Sequence, residues 1–159
     1  MFRAIFAFCV CLLVSASLAS AQDRHEGYYY PPITSEEVFE RAIRDLGNPT
    51  KQVRIDFIQT LTQAQLADPA PPQFMFFAKG EAAKDLIVIG LNDDVFETLY
   101  RARAVMAQMT VSVREGPFFV DQNLQFLATF YDLLQILEFD TLVISDGKSW
   151  SHKVTFDRS

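Results

Sequence analysis

Few residues in this chain could do chemistry, and they are scattered. His152 stands beside Ser149, Trp150 and Ser151, with Asp140 and Asp146 nearby in sequence. An imidazole next to a carboxylate makes a general base, and a hydroxyl added to the pair would make a nucleophile. No Gly-x-Ser-x-Gly turn lifts a serine out of its strand, and strand alternation turns Ser149 and Ser151 to water. No catalytic residue is therefore assigned. His152 is a candidate binding group, set against the plainer expectation of a hydrogen-bonded histidine at the end of a sheet.

Arg101 and Arg103, next to Tyr100, and Lys79 form a second candidate, an anion site. The competing reading is a solvated helix flank on which Glu97 pairs with Arg101 four residues on. Asp93-Asp94 lacks the alternating acidic pattern of a calcium loop and reads as helix capping. His25-Glu26 has no partner at metal-ligand spacing, so no metal is expected. Glycines are sparse and none opens a helix in phosphate-loop style, so no cofactor is expected either.

Composition narrows the classes further. Residues 1–21 read as a signal peptide: Arg3 in front, an apolar run Ala4 to Val14, and Ala19-Ser20-Ala21 as the cleavage pattern. Periplasmic or secreted localisation follows. Cys9 and Cys11 both fall in that segment, which leaves residues 22–159 without a thiol for disulfides, nucleophilic catalysis or metal binding. Of 14 Lys and Arg, one is Arg3; the other 13 face 20 Asp and Glu, a net charge of −7. An acidic surface disfavours nucleic acid and anionic lipid, and no stable membrane insertion of the mature chain is expected.

The elements that must position these residues read as follows. Gln22 to Ile33, with Tyr28, Tyr29 and Tyr30 ahead of Pro31-Pro32, is an extended arm that docks on its own domain or meets a partner. Thr34-Ser35-Glu36-Glu37 has the form of a capping box and predicts a first helix to Leu46, closed by Gly47 and Pro49. Thr50 to Leu66 predicts a second helix, stopped by Asp68-Pro69-Ala70-Pro71-Pro72. Gln73–Ala78 and Leu86–Leu91 predict a hairpin buried on both faces. Phe96, Leu99, Ala102, Met106, Met109 and Val113 predict a third helix, ended by Gly116-Pro117. Asp121 to Phe139 is apolar almost all round and predicts one central helix, sheathed on every side. Thr141–Ile144 and Lys148–Phe156 predict a second hairpin. A three-residue loop pairing Ile144 with Lys148 and Leu142 with Trp150 keeps the apolar residues on one face, together with His152.

The sum is a single α+β domain over 34–159: a four-stranded antiparallel sheet made of two hairpins, with about four helices. The order allows a helix-helix-hairpin duplication. The 12 phenylalanines left after Phe2, Phe6 and Phe8 are set aside read as core filling, or as the lining of an apolar pocket.

The stretches His25-Glu26-Gly27-Tyr28-Tyr29-Tyr30-Pro31, Phe77-Ala78-Lys79-Gly80, Leu99-Tyr100-Arg101-Ala102-Arg103 and Ser145-Asp146-Gly147 resemble a group of small exported proteobacterial proteins, over the whole mature chain. The group implies no activity to carry over. It is associated with labels naming molybdopterin-guanine dinucleotide biosynthesis, but the Gly-rich nucleotide loop and βαβ sheet of that chemistry are not in this sequence.

The functional expectation is an exported, non-catalytic binding or interaction protein of the cell envelope. Tyr28, Tyr29, Tyr30, Lys79, Arg101, Arg103 and His152 are its candidate contact residues, and its partner is a protein or an apolar small molecule. The alternatives are a cysteine-independent hydrolase, in which His152, an Asp and the Lys79/Arg101 region would converge, and a carrier of an apolar small molecule.

Overall fold

The structure, a computed structural model, describes residues 29–41, 49–121, 123–126 and 128–157. Residues 1–21, expected to be a signal peptide, and Tyr28 lie outside them. In chain order the elements are β1 (Ser35–Glu40), α1 (Lys51–Ala67), β2 (Phe74–Lys79), β3 (Asp85–Gly90), α2 (Leu99–Arg114), α3 (Pro117–Asp121), α4 (Phe130–Ile136), β4 (Thr141–Ser145) and β5 (Ser151–Asp157). The class is α+β, and the described residues hold four helices and one five-stranded mixed sheet in the order β1-β5-β4-β3-β2. β2–β3 and β4–β5 are the two expected antiparallel hairpins, while β3–β4 and β1–β5 pair in parallel.

The fifth strand corrects the first helix expected from the sequence. Ser35, Glu37 and Phe39 are half-buried and alternate with exposed Glu36, Val38 and Glu40, the period of a strand with one covered face. Thr34 caps no helix. Its hydroxyl donates to the Ser151 carbonyl at 2.5 Å, which fastens the entry of β1 to β5. The far end of that expected helix, 42–48, lies outside the described residues. With a strand in first place, the helix-helix-hairpin duplication is not found, and the sheet is neither four-stranded nor wholly antiparallel.

The expected central helix is also corrected. Of the span Asp121 to Phe139 only α4 is a helix of its own, while the short α3 ends at Asp121. Asn123 after α3 sits at φ 55°, a left-handed conformation that a helix interior excludes. Thr129 restarts the helix with a reciprocal cap: its side chain accepts from the Asp132 amide, and the Asp132 carboxylate accepts from the Thr129 amide. Between the two, Phe126 is 85% exposed, against the expectation of burial all round; Leu127 is not described. α4 itself is buried as expected, with Phe130 and Leu134 fully covered. Helix count agrees with expectation only because one expected helix is a strand and α3, which was not expected, precedes the central one.

α1 and α2 stand close to their expected bounds, each capped by a threonine, Thr50 and Thr98. β3 is buried on both faces, but β2 is an edge strand with Met75 exposed. The helices pack on one face of the sheet, against Phe76, Leu86, Val88, Leu142, Ile144, Val154 and Phe156. Five of these, Leu86, Val88, Leu142, Ile144 and Val154, are wholly removed from water. Each fully buried aliphatic contributes roughly 1.5–3 kcal/mol. The second face carries a smaller cluster, Tyr30 with Ile87 and Val143, joined by Tyr29, Ile33, Phe77 and Ile89. The described end of the arm, Tyr29 to Ile33, therefore docks on its own domain. It crosses the open face of the sheet before entering as β1.

Candidate functional site

The parallel pair β3–β4 sets where a site could form. The carboxyl ends of both strands, the start of β5, the start of β1 and the amino end of α2 all lie at one end of the sheet. Open α/β sheets place ligands at such an edge. His152 and Arg103 come together here through Glu37, while Arg101, on the same turn of α2, is held by Asp94 and Glu97. Lys79 does not join them, because it pairs with Asp85 at the opposite end of β3. β2 is three strand spacings from β5, roughly 14 Å. The alternation of β2 also puts Lys79 on the arm face with Phe77. There its ammonium lies 4.1 Å from the centre of the Tyr29 ring.

The hairpin that carries His152 differs in register from expectation. Ile144 pairs with His152 and Leu142 with Val154, joined by the five-residue loop 146–150. The shift is an even number of residues, so His152 keeps the apolar face assigned to it. The longer loop is stabilised by Asp146. One carboxylate oxygen accepts from the amides of Lys148, Ser149 and Trp150, the other from the Ser149 hydroxyl. Burial pushes the Asp146 carboxyl up, but these donors outweigh it and hold it below the ordinary carboxylate range. Ser151 is buried, not turned to water. Its hydroxyl donates toward the Pro31 and Pro32 carbonyls of the arm.

His152 is 1% exposed. Its ring stacks on Trp150, with centroids 6.2 Å apart and planes 14° apart. Nδ1 is 2.9 Å from the Ser35 hydroxyl oxygen. Nε2 is buried 3.4 Å from Glu37 Oε1 without a well-formed hydrogen bond. The second Glu37 oxygen accepts from Arg103 at 2.7 Å. Partial burial raises the Glu37 carboxyl; the Arg103 hydrogen bond and the His152 ring more than reverse this, and its pKa is lowered. Tyr131 packs edge-on against Phe39 and Phe156 close by. Burial, reinforced by the Glu37 charge, pushes its phenol up to about 12, so it stays protonated at neutral pH.

Ser35, His152 and Glu37 have the residue types of a nucleophile, base and orienting acid. Chemically the set is closed. Both ring nitrogens face protein groups, Trp150 covers the ring, and Arg103 occupies the far carboxylate oxygen. An open cleft of about 370 Å³ lies at this end of the sheet, but its lining is Asp93, Glu97, Asp146, Lys148 and Ser149. Lys148 pairs with Asp93 across it. Arg101 bonds the Asp94 carbonyl and lies 3.5 Å from Glu97, the expected i, i+4 partner. Among the described residues, no group of three or more His, Cys, Asp or Glu is placed to hold a metal, and no helix is long and apolar enough to cross a membrane.

Glu37 and Ser35 are the site residues that sequence reasoning missed, having been read as a helix start. Their common parity with Phe39 was the available signal. Buried Arg54 was missed as well. It is 3% exposed and donates to the carbonyls of Pro49, Ala82 and Leu137, tying α1 to the hairpin turn and to the end of α4. No family model, curated protein or solved structure matches this chain.

Proposed function

We propose that this chain is an exported, non-catalytic binding protein of the cell envelope, and that its partner is another protein. The observation that carries the reading is the sealing of His152. The only histidine among the described residues is 1% exposed under Trp150, and neither it nor Ser35 nor Glu37 lines the cleft. A hydrolase would need a base that reaches a substrate within hydrogen-bond distance. The convergence of His152 with Lys79 that this alternative requires is contradicted by their places at opposite ends of the sheet. An apolar carrier is not favoured either, since the cleft is lined by charged and hydroxyl side chains.

Export rests on the leader-like sequence of residues 1–21. The arm is not the preferred contact surface, because Tyr30 is buried against the sheet. The large aromatics turned to solvent are Tyr100 at 84% and Phe126 at 85% exposure. Exposed aromatics of this size are characteristic anchors of protein interfaces.

The test is crosslinking of the mature protein in envelope extracts, with wild type and a Tyr100→Ser/Phe126→Ser double variant. The expected result is a discrete crosslinked partner that the variant loses while its thermal midpoint stays unchanged. Turnover of any ester, amide or phosphate substrate that disappears in His152→Gln would overturn the reading.

A further inference from the structure

The sheet has two edges, β1 and β2. α1 packs against β2, whereas no helix is among the main neighbours of β1. β1 pairs with β5 on one side, and among the described residues no strand pairs with its other side. Alternate backbone N–H and C=O groups along six residues thus face outward. The arm covers Ile87 and Val143 in the middle of the sheet, whereas Val38 on β1 stays 59% exposed. Exposed Glu36, Val38 and Glu40 share that face and form an acidic-apolar-acidic row. Across the strand pair, Glu36 stands opposite Lys153, but Glu40 stands opposite Asp157. On the other face, Glu37 is already committed to Arg103.

From this pattern we propose that the outer edge of β1 accepts an extended basic segment of a partner protein as a sixth strand. The inference rests on the binding-protein reading above and gives the partner its chemistry. Main-chain hydrogen bonds along a free edge supply affinity without sequence preference, and the side chains beside them supply the choice. A strand laid against β1 puts every second side chain next to Glu36, Val38 and Glu40. The matching order is basic, apolar, basic at alternate positions, Lys-x-Val-x-Lys, with each opposite-charge neighbour favourable. A second copy of this chain is the occupant the charges reject. Antiparallel self-pairing centred on Val38 sets Val38 against Val38, but places Glu36 directly opposite Glu40 twice, and like charges so placed repel.

The test uses the folded protein and a synthetic peptide, acetyl-Thr-Lys-Thr-Val-Thr-Lys-Thr-amide, titrated by calorimetry at low and at physiological salt. Saturable binding is expected, weaker at the higher salt. Glu36→Gln/Glu40→Gln changes only exposed side chains and is expected to weaken binding about tenfold at low salt. The decisive probes are two N-methylated peptides, one methylated at odd and one at even positions. A strand on an edge uses only one set of N–H groups, so one peptide should bind as before and the other should lose binding. Equal binding by both overturns the edge while leaving the protein a binding protein. No binding of the parent peptide also overturns it, as does a concentration-dependent dimer in sedimentation that the Gln variant strengthens.

Discussion

The two halves of the sheet are built on different physics. In the β2-β3-β4 half, Leu86, Ile87, Val88, Leu142, Val143 and Ile144 are all at most 1% exposed, and β3 and β4 hold because both of their faces are dry. In the β1-β5 half, polar contacts set the geometry: the Thr34 hydroxyl on the Ser151 carbonyl, Ser35 and Glu37 around His152, and Arg103 reaching from α2. The polar half depends on alignment, and each of its contacts is individually modest. That asymmetry places a buried histidine and a half-buried glutamate beside the edge strand, held by polar partners and not by packing alone.

The contrast breaks most easily in the dry half. Leu86→Ala removes a side chain that is 0% exposed and packed among the central residues of the core. A loss of about 3–4 kcal/mol is expected, from lost transfer energy plus the cavity left behind. Urea denaturation checks it through a lower midpoint at unchanged slope. A loss below about 1 kcal/mol would show that the β2-β3-β4 half does not carry the stability assigned to it.

The polar half is tested by charge. The Glu37 carboxyl is lowered in the folded state, so its contribution is present above the unfolded carboxylate value of about 4.3 and fades as pH falls through the folded value. Glu37→Gln keeps the shape and removes the charge. It is expected to cost about 1 kcal/mol at pH 7, discounted because Arg103 is exposed. The difference from wild type should close as the pH is taken below about 4. Denaturation at pH 7 and pH 3 measures both, and a difference that grows in acid would contradict the pairing.

How much was legible follows the same division. Periodicity found α1, α2 and both hairpins, because each buries an apolar pattern that its own residues declare. The misreadings came where an identical local signal has two outcomes. Thr34-x-x-Glu37 and Thr129-x-x-Asp132 share the capping pattern. At Thr129 it is used, since Phe130, Leu133, Leu134 and Leu137 follow at helical spacing and all are buried. At Thr34 the partner that decides is β5, 117 residues away, which pairs Ser35–Glu40 into the sheet. A tertiary partner overrides a local cap. His152 was placed on the correct face by alternation alone, but its neighbours Ser35 and Glu37 arrive through that same long-range pairing and leave no short-range trace.

The smallest effect is expected where the arm meets the edge of the dry half. Lys79 lies over the Tyr29 ring at 4.1 Å and farther, at 5.5 Å, from the Phe77 ring, which itself leans on Tyr29. A cation over an aromatic face at a partly exposed site contributes about 0.5–1 kcal/mol. The arm is held more firmly by burial of Tyr30 and by the Ser151 hydroxyl on the Pro31 and Pro32 carbonyls. Lys79→Gln should therefore lower stability by no more than about 1 kcal/mol and leave the arm docked. Lys79→Arg, which keeps the charge and stacks on rings, should restore the difference. Amide exchange at Ile33 and Thr34 reads arm docking directly. Faster exchange there in Lys79→Gln, without a matching change at Leu86 to Val88, would mean that one surface cation and not the buried tyrosine pins the arm, and the division between a dry half and an aligned half would need a third term.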